Sequence, residues 1–194
     1  MVRILELGAG TGASGTQILP ELNKLDLDTH YVFSDLSTAF LRNARERFSK
    51  DFPFIEYVLF DAEKSAAEQG FAWHTFDIIF GTNVVHATSH LASTLSNVHR
   101  LLKPGGHFVL NEVYISNMNE DMTWGMTEGW WLFTDQEIRA TYPLLEVRSW
   151  MELYRSAGFE IVHVENIGTQ SIIVGQAVGD VLQPTSAPVR MAAT

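Results

Sequence analysis

Residues 5–17, LELGAGTGASGTQ, carry two overlapping glycine patterns that could hold a nucleotide. Gly10, Gly12 and Gly15 spell G-x-G-x-x-G, the pattern of a dinucleotide-binding turn. Counted from Glu6, the same segment spells E-x-G-x-G-x-G. Glycines suit both patterns because a residue without a Cβ atom lets a ligand approach the backbone closely. The acidic residues nearby must distinguish the two nucleotides.

Acidic residues stand at the ends of three successive predicted strands, at Glu6, Asp35 and Asp61. A dinucleotide brings a pyrophosphate, which binds at a helix N-terminus without a competing anion. S-adenosylmethionine has no phosphate and carries a sulfonium and an ammonium, so Glu6 suits it better. Asp35 suits ribose hydroxyls in either case, and Asp61 suits an adenine amino group. We therefore predict an S-adenosylmethionine site, and its candidate residues are Glu6, Gly8, Ala9, Gly10, Gly12, Asp35, Leu36, Asp61, Ala62 and Asn83.

His86 and Glu112 are the candidate pair for proton transfer. His86 follows the fourth predicted strand by a few residues, and Glu112 closes the fifth. We expect these strands to be neighbours, so both side chains can project over one rim of the sheet. A carboxylate that binds one imidazole nitrogen fixes the tautomer and makes the other nitrogen a stronger base. The alternative is that His86 is an ordinary hydrogen-bonded histidine.

Short apolar runs alternate with amphipathic stretches along the chain. Strands are predicted over 2–7, 30–34, 54–60, 76–81 and 107–113, and a hairpin over 159–165 and 171–178. Helices are predicted over 13–24, 37–50, 91–102 and 147–157, with Pro20 interrupting the first and Ser37 capping the second. This order predicts an α/β, Rossmann-like, doubly wound seven-stranded sheet, mostly parallel, with a C-terminal antiparallel hairpin. We expect one domain over 1–178 and a flexible tail over 179–194.

Composition narrows the classes of partner. The 194 residues carry a net charge of −10, which disfavours nucleic acid and anionic membranes as partners. No cysteine is present, so disulfides, thiolate metal sites and cysteine nucleophiles are excluded. No apolar run is long enough to span a membrane, and the N-terminus has no signal-peptide pattern, so we expect a cytoplasmic protein. The histidines form no metal-ligand pattern, and we expect no metal.

Five segments together give a family resemblance. They are ILELGAGTG at 4–12, the strand end at Asp35, FDA at 60–62, FDIIFGTNVVHAT at 76–88 and LLKPGGHFVLNE at 101–112. In this order they resemble the class I S-adenosylmethionine-dependent methyltransferases, over roughly residues 2–178. NVVHAT, LNE and EGWWLFTD at 128–135 are further similar to the methyltransferase domains of polyketide synthases.

The resemblance implies a reaction. Those domains methylate the α-carbon of a β-ketoacyl chain tethered to a carrier protein, and a His–Glu dyad serves as the base. It implies His86 as general base, Glu112 as its orienting partner, and Asn83 as a contact to cofactor or enolate. The long segment 114–145 is expected to wall an apolar acyl pocket through Tyr114, Trp130, Trp131 and Phe133, unless these residues simply pack on the sheet. Such domains carry an additional N-terminal portion, which a partner domain could supply here.

Three other hypotheses stay open at this point. The first is an oxygen or nitrogen methyltransferase acting on a small natural product, since His86 could deprotonate a hydroxyl. The second is a catalytically silent subunit that binds S-adenosylmethionine within a larger assembly. The third is an NAD-dependent oxidoreductase, which only the spacing of Gly10, Gly12 and Gly15 supports.

Overall fold

The computed structural model describes residues 1–116 and 118–179 and contains a seven-stranded sheet. The strand order is β3-β2-β1-β4-β5-β7-β6, with β7 antiparallel to both β5 and β6 and the other pairs parallel. The strands are β1 Val2–Leu7, β2 Thr29–Asp35, β3 Ile55–Leu59, β4 Phe76–Thr82, β5 Leu102–Val113, β6 Phe159–Ile167 and β7 Gln170–Ala177. The predicted fold class is confirmed, including the neighbouring positions of β4 and β5. The predicted tail, apart from Gly179, lies outside the described residues.

Five α-helices lie between the strands in the described ranges, and four of them were predicted. They are α1 Ala13–Lys24, α2 Thr38–Phe48, α3 Leu91–Leu101, α4 Met118–Thr123 and α5 Val147–Ser156. Ser37 caps α2 as predicted, accepting a hydrogen bond from the Phe40 amide. None of the helices described is long and apolar enough to cross a membrane.

Three local features differ from the sequence prediction. Helix α1 continues through Pro20 because the helix packs on the sheet around the buried Leu19, and packing outweighs the lost backbone bond. Strand β5 begins at Leu102, which pairs with Phe76, so residues 103–106, which lie between the predicted helix and the predicted strand, belong to the strand next to a register shift. Segment 114–145 is no open loop, since it contains α4 and two short 3₁₀ turns.

The core has one apolar layer on each face of the sheet. Because side chains alternate along a strand, Leu5 and Leu7 face the layer under α3 and α5, whereas Ile4 belongs to the layer under α1 and α2. Glu6 shares the parity of Ile4 and is itself buried. A carboxylate is thereby placed at the carboxyl end of β1, in the interior of the sheet, where open α/β sheets bind ligands.

Candidate active site

The turn after β1 presents backbone to the space beyond the sheet. Gly8, Gly10 and Gly12 all have positive φ, at 53°, 55° and 78°. A Cβ atom on Gly8 would overlap Val84, whereas one on Gly10 would meet only the Gly8 carbonyl oxygen, at 3.8 Å. The backbone at Gly10 is therefore open to a ligand, and this opening fits a nucleotide cofactor.

Glu6 lies beneath this turn. Its Oε2 accepts a hydrogen bond from the Tyr31 hydroxyl at 2.5 Å. Burial raises the pKa of Glu6, the Tyr31 hydrogen bond lowers it and the charge of Asp35 raises it, and together they change this pKa from 4.5 to about 7. An ammonium beside Glu6 would offset this cost of ionisation.

Gly15, the third glycine of the dinucleotide pattern, is not required by packing. A Cβ atom there would meet Leu19 at 3.5 Å, an ordinary contact, and the Glu6 carboxylate at 3.8 Å. The first turn of α1 therefore faces an acidic group, which is unfavourable for a pyrophosphate.

Asp35 ties the glycine turn to α2. Its Oδ2 accepts from the Gly10 amide and its Oδ1 from the Ser37 amide, both at 2.8 Å. Leu36 follows and is 67% exposed, so an apolar side chain stands beside the turn. A ribose contact by Asp35 stays a prediction, and the structure adds that this carboxylate holds the turn in shape.

Asp61 and Ala62 follow β3 in a loop that Gln69 and Asn97 hold. Gln69 accepts from the Asp61 amide at 2.7 Å and donates to its carbonyl at 2.8 Å. Asn97 donates to the Ala62 carbonyl at 3.0 Å. The Asp61 carboxylate pairs with Lys64 at 3.0 Å. Gln69 and Asn97 were not predicted, since isolated amides in a helical or polar stretch carry no distinctive spacing.

His86 and Glu112 form the contact expected from the sequence. His86 Nδ1 lies 2.5 Å from Glu112 Oε2, and both residues are buried. Glu112 Oε1 accepts from the amides of Val84, Val85 and His86, at 3.0, 2.7 and 3.4 Å. A carboxylate that accepts three amide hydrogens orients the imidazole through its second oxygen, so the Nδ1–H donates and Nε2 carries the lone pair of neutral His86.

A cavity of about 400 Å³ lies against this dyad. Its lining is mostly apolar and aromatic: Asn83, His86, Ala87, Val113, Trp124, Thr127, Gly129, Trp130 and Leu132. The indole of Trp130 stands edge-on to the His86 ring, with the centroids 5.2 Å apart. Asn83 has φ 50° and accepts from the Val113 amide at 3.1 Å, which joins the ends of β4 and β5. The cavity can hold an acyl group beside the imidazole.

The four residues predicted to face the substrate do not line one common cavity. Trp130 lines the cavity beside the dyad. Tyr114 lines a second cavity of about 530 Å³, and Trp131 is half-exposed and donates to the Gly125 carbonyl at 2.8 Å. Phe133 stacks on the Arg139 guanidinium, 5.1 Å from its ring centroid. Substrate contact by these residues stays a prediction.

An ion pair that the sequence prediction missed holds the backbone of the His86 segment. Arg139 donates to Asp135 at 2.7 Å and to the His86 carbonyl at 2.7 Å, and both charged side chains are fully buried. The i,i+4 spacing of an acid and an arginine was the available signal, but it is common on exposed helices. In the part of the chain that the structure describes, no group of three or more histidine, aspartate or glutamate residues could hold a metal.

Comparison with known proteins identifies the family. A methyltransferase-domain model matches residues 5–108, more than half of the chain. Fumosorinone synthetase of Cordyceps fumosorosea is 40% identical over 189 residues, which are 92% of this chain and 4% of that protein. Polyketide synthase PksR of Bacillus subtilis is 35% identical, over 91% of this chain and 7% of that protein. The chain thus spans only a small part of these relatives.

Solved structures give the same result. The CurJ carbon methyltransferase is 40% identical with a TM-score of 0.86, over 92% of this chain and 49% of that one. The trans-methyltransferase CalH, solved in complex with SAH, is 32% identical with a TM-score of 0.81, over 91% of this chain and 51% of that one. The chain therefore belongs to the methyltransferase domain family and is an S-adenosylmethionine-dependent methyltransferase of the kind found in polyketide synthases. The oxidoreductase hypothesis is wrong.

Proposed function

We propose that this methyltransferase transfers a methyl group to the α-carbon of a β-ketoacyl thioester. The observation that carries the proposal is the buried His86–Glu112 dyad at the wall of an apolar cavity beside the cofactor turn. A carbon acceptor becomes a nucleophile only after a base removes its α-proton, and the dyad supplies an oriented base beside the cavity. Similarity to the CurJ carbon methyltransferase supports the same acceptor.

His86 is the general base in this proposal. Its Nε2 takes the α-proton, the C–H electron pair forms the enolate, and Glu112 stabilises the resulting imidazolium through the Nδ1–H bond. The enolate carbon then forms the new carbon–carbon bond, and His86 returns its proton to solvent. The apolar walls exclude water from the enolate, which keeps the carbon nucleophile desolvated.

The cofactor is held, in this proposal, by the ten residues predicted from the sequence. When bound, S-adenosylmethionine supplies an electrophilic methyl group whose bonding electron pair stays on sulfur. Glu6 would accept from the ammonium, the open backbone at Gly10 would face the ligand, and Leu36 would offer an apolar surface. Asp35 and Asp61 would serve the ribose and the adenine, and Asn83, which lines the cavity, would stand between cofactor and acyl group.

In this proposal the acyl group is tethered to a carrier protein, and a partner domain supplies an N-terminal portion in addition to this site. Support comes from the relatives, which are large polyketide synthases, and from an apolar groove between α1 and the sheet. That groove of about 420 Å³ is lined by half-buried side chains such as Ile18, Ile78 and Ile172. We place the reaction in the cytoplasm, since the composition suits no membrane or disulfide-forming compartment.

The test of catalysis is His86→Ala with His163→Ala as control. Loss of a general base lowers turnover by about 100- to 10,000-fold, so methyl transfer to acetoacetyl-N-acetylcysteamine should fall by that factor. The Kd for S-adenosylhomocysteine, measured by calorimetry, should stay within about twofold because His86 is not one of the proposed cofactor-binding residues. His163 is an exposed histidine on β6, and its loss should change neither quantity.

A different pattern would overturn the proposal. If His86→Ala turns over as the unaltered chain does, the dyad is not the base. If the unaltered chain binds S-adenosylhomocysteine but methylates no thioester, alcohol or amine probe, the silent binding subunit is the better account.

A further inference from the structure

Arg139 forms hydrogen bonds to the backbone of His86 and of the residues that follow it. Its Nη1 donates to the His86 carbonyl at 2.7 Å, and its Nη2 donates to the carbonyls of Thr88 and Ser89 at 2.8 and 3.2 Å. The guanidinium therefore contacts three carbonyls in the four residues that begin with His86. Thr134 adds two bonds to the Ser89 carbonyl, from its amide at 2.8 Å and its hydroxyl at 3.1 Å.

Asp135 fixes the guanidinium from the opposite side. Its Oδ1 accepts from Arg139 Nε at 2.7 Å, and its Oδ2 accepts from the Leu91 amide at the start of α3, at 2.9 Å. Both side chains are 0% exposed. The Phe133 ring covers the guanidinium. The fork of five donors thus has a single orientation.

The His86 segment is consequently held from both sides. Glu112 binds its amides, and Arg139 binds its carbonyls. The segment, residues 84–89, contains the three-residue 3₁₀ turn Val85–Ala87, which is too short to fix its own orientation. Any rotation of this turn would move the imidazole relative to the cavity.

We propose that Arg139 is a positioning residue for proton removal by His86, with Asp135 as the group that orients Arg139. The proposal rests on the proposed function. A buried ion pair can often be replaced by apolar residues without loss of stability, so stability alone does not require it. Both of its terminal nitrogens, Nη1 and Nη2, donate to carbonyls between His86 and Ser89, and a displacement of about 1 Å in a reacting group lowers the rate about 100-fold.

The test replaces both charges at once, in the variant Asp135→Leu with Arg139→Met. Removing both partners avoids an unpaired buried charge but takes hydrogen-bond partners from the His86 carbonyl and the Leu91 amide. We therefore expect a less stable variant that still unfolds cooperatively, as followed by circular dichroism in urea. We expect kcat for acetoacetyl-N-acetylcysteamine to fall about 100-fold, with KM and the Kd for S-adenosylhomocysteine within about threefold. Glu21→Leu with Lys24→Met, which removes an exposed ion pair on α1, is the matched control and should change none of these.

The imidazole itself supplies a readout that needs no turnover. The Nδ1–H of His86, bonded to Glu112, should give a strongly deshielded proton resonance that is absent from His86→Gln. In the double variant we expect this resonance to shift or broaden. Arg139→Lys keeps the charge but not the fork, so it should keep the fold and show a kcat between the unaltered chain and the double variant.

The outcomes separate this inference from the proposed function. If the double variant keeps both the resonance and kcat of the unaltered chain, Arg139 is only structural and the inference fails. If the resonance shifts in the double variant although no thioester is methylated by any form, Arg139 positions His86 but the proposed reaction is wrong.

Discussion

Glu112 and Glu6 show that a buried carboxylate can do two different tasks in one site. Glu112 accepts bonds with both oxygens, from the backbone of the His86 segment and from the imidazole. Glu6 has the Tyr31 hydroxyl as its partner, and burial raises its pKa to about 7. The first carboxylate is satisfied by the fold. The second is costly to ionise until a cation arrives, which suits a ligand-binding group.

The raised pKa of Glu6 makes stability depend on pH. The folded chain keeps the proton up to about pH 7, whereas the unfolded chain releases it near 4.5, so the free energy of unfolding falls as pH rises between these values. Between pH 5 and pH 7.5 the fall due to Glu6 should be about 2 kcal/mol. Glu6→Gln should lack this part of the fall, because an amide still accepts from Tyr31 but does not titrate.

Urea unfolding at the two pH values measures this difference, with Glu21→Gln as the exposed control. Glu21 is a surface residue that pairs with Lys24, so its variant should follow the unaltered chain. Equal pH dependence in Glu6→Gln and the unaltered chain would show that the carboxyl has an ordinary pKa in the folded state.

Single residues were predictable where a strand end places them. Glu6, Asp35 and Glu112 all stand at carboxyl ends of strands, so their convergence followed from the topology. Arg139 and Asp135 could not be found in this way. They lie in a segment without regular periodicity, and Arg139 contacts His86 from 53 positions away in the sequence.

At the scale of elements, the glycine turn and the His86 segment are packed against each other. Gly8 directly follows β1, and Val84 directly precedes the 3₁₀ turn that contains His86. The Val84 side chain occupies the place that a Cβ atom on Gly8 would take. The cofactor turn and the catalytic turn therefore share one contact, and a change in one displaces the other.

Gly8→Ala should consequently be more costly than the backbone strain alone. Both Gly8 and Gly70 have positive φ, but a Cβ atom on Gly70 would meet nothing within 4 Å. We expect each alanine to cost about 1 kcal/mol for the left-handed backbone, and Gly8→Ala to cost about 1–3 kcal/mol more from overlap with Val84. Urea unfolding of the two variants measures the difference. Adding Val84→Ala to Gly8→Ala should recover part of it, and equal costs at both glycines would contradict the packing argument.

The order of elements was predictable because the spacing of apolar residues and the positions of the glycines indicate the same helices and strands along most of the chain. The differences arise where tertiary contacts decide. Helix α1 continues beyond Pro20 because Leu19 packs in the core. Strand β5 includes residues 103–106 because Leu102 pairs with Phe76. The 3₁₀ turns of segment 114–145 depend on contacts such as that between Trp130 and Tyr142, and no local sequence pattern predicts these contacts.

At the scale of the whole molecule, the chain carries a seven-stranded sheet while spanning about half of the CurJ and CalH structures. The dyad, the glycine turn and the cavity all lie at the carboxyl ends of β1, β4 and β5. This arrangement supports turnover of a small thioester by the chain itself. Its apolar groove and its relatives support the proposed partner domain and carrier.

The acceptor atom is the central claim, and carbon labelling tests it most directly. The chain would be incubated with S-adenosylmethionine carrying a ¹³C methyl group and with acetoacetyl-N-acetylcysteamine labelled with ¹³C at the α-carbon. We predict a product whose methyl signal is split by one-bond carbon–carbon coupling and survives hydrolysis of the thioester. A methyl signal without that coupling, at the shift of an enol ether, would place the methyl group on oxygen and contradict the account.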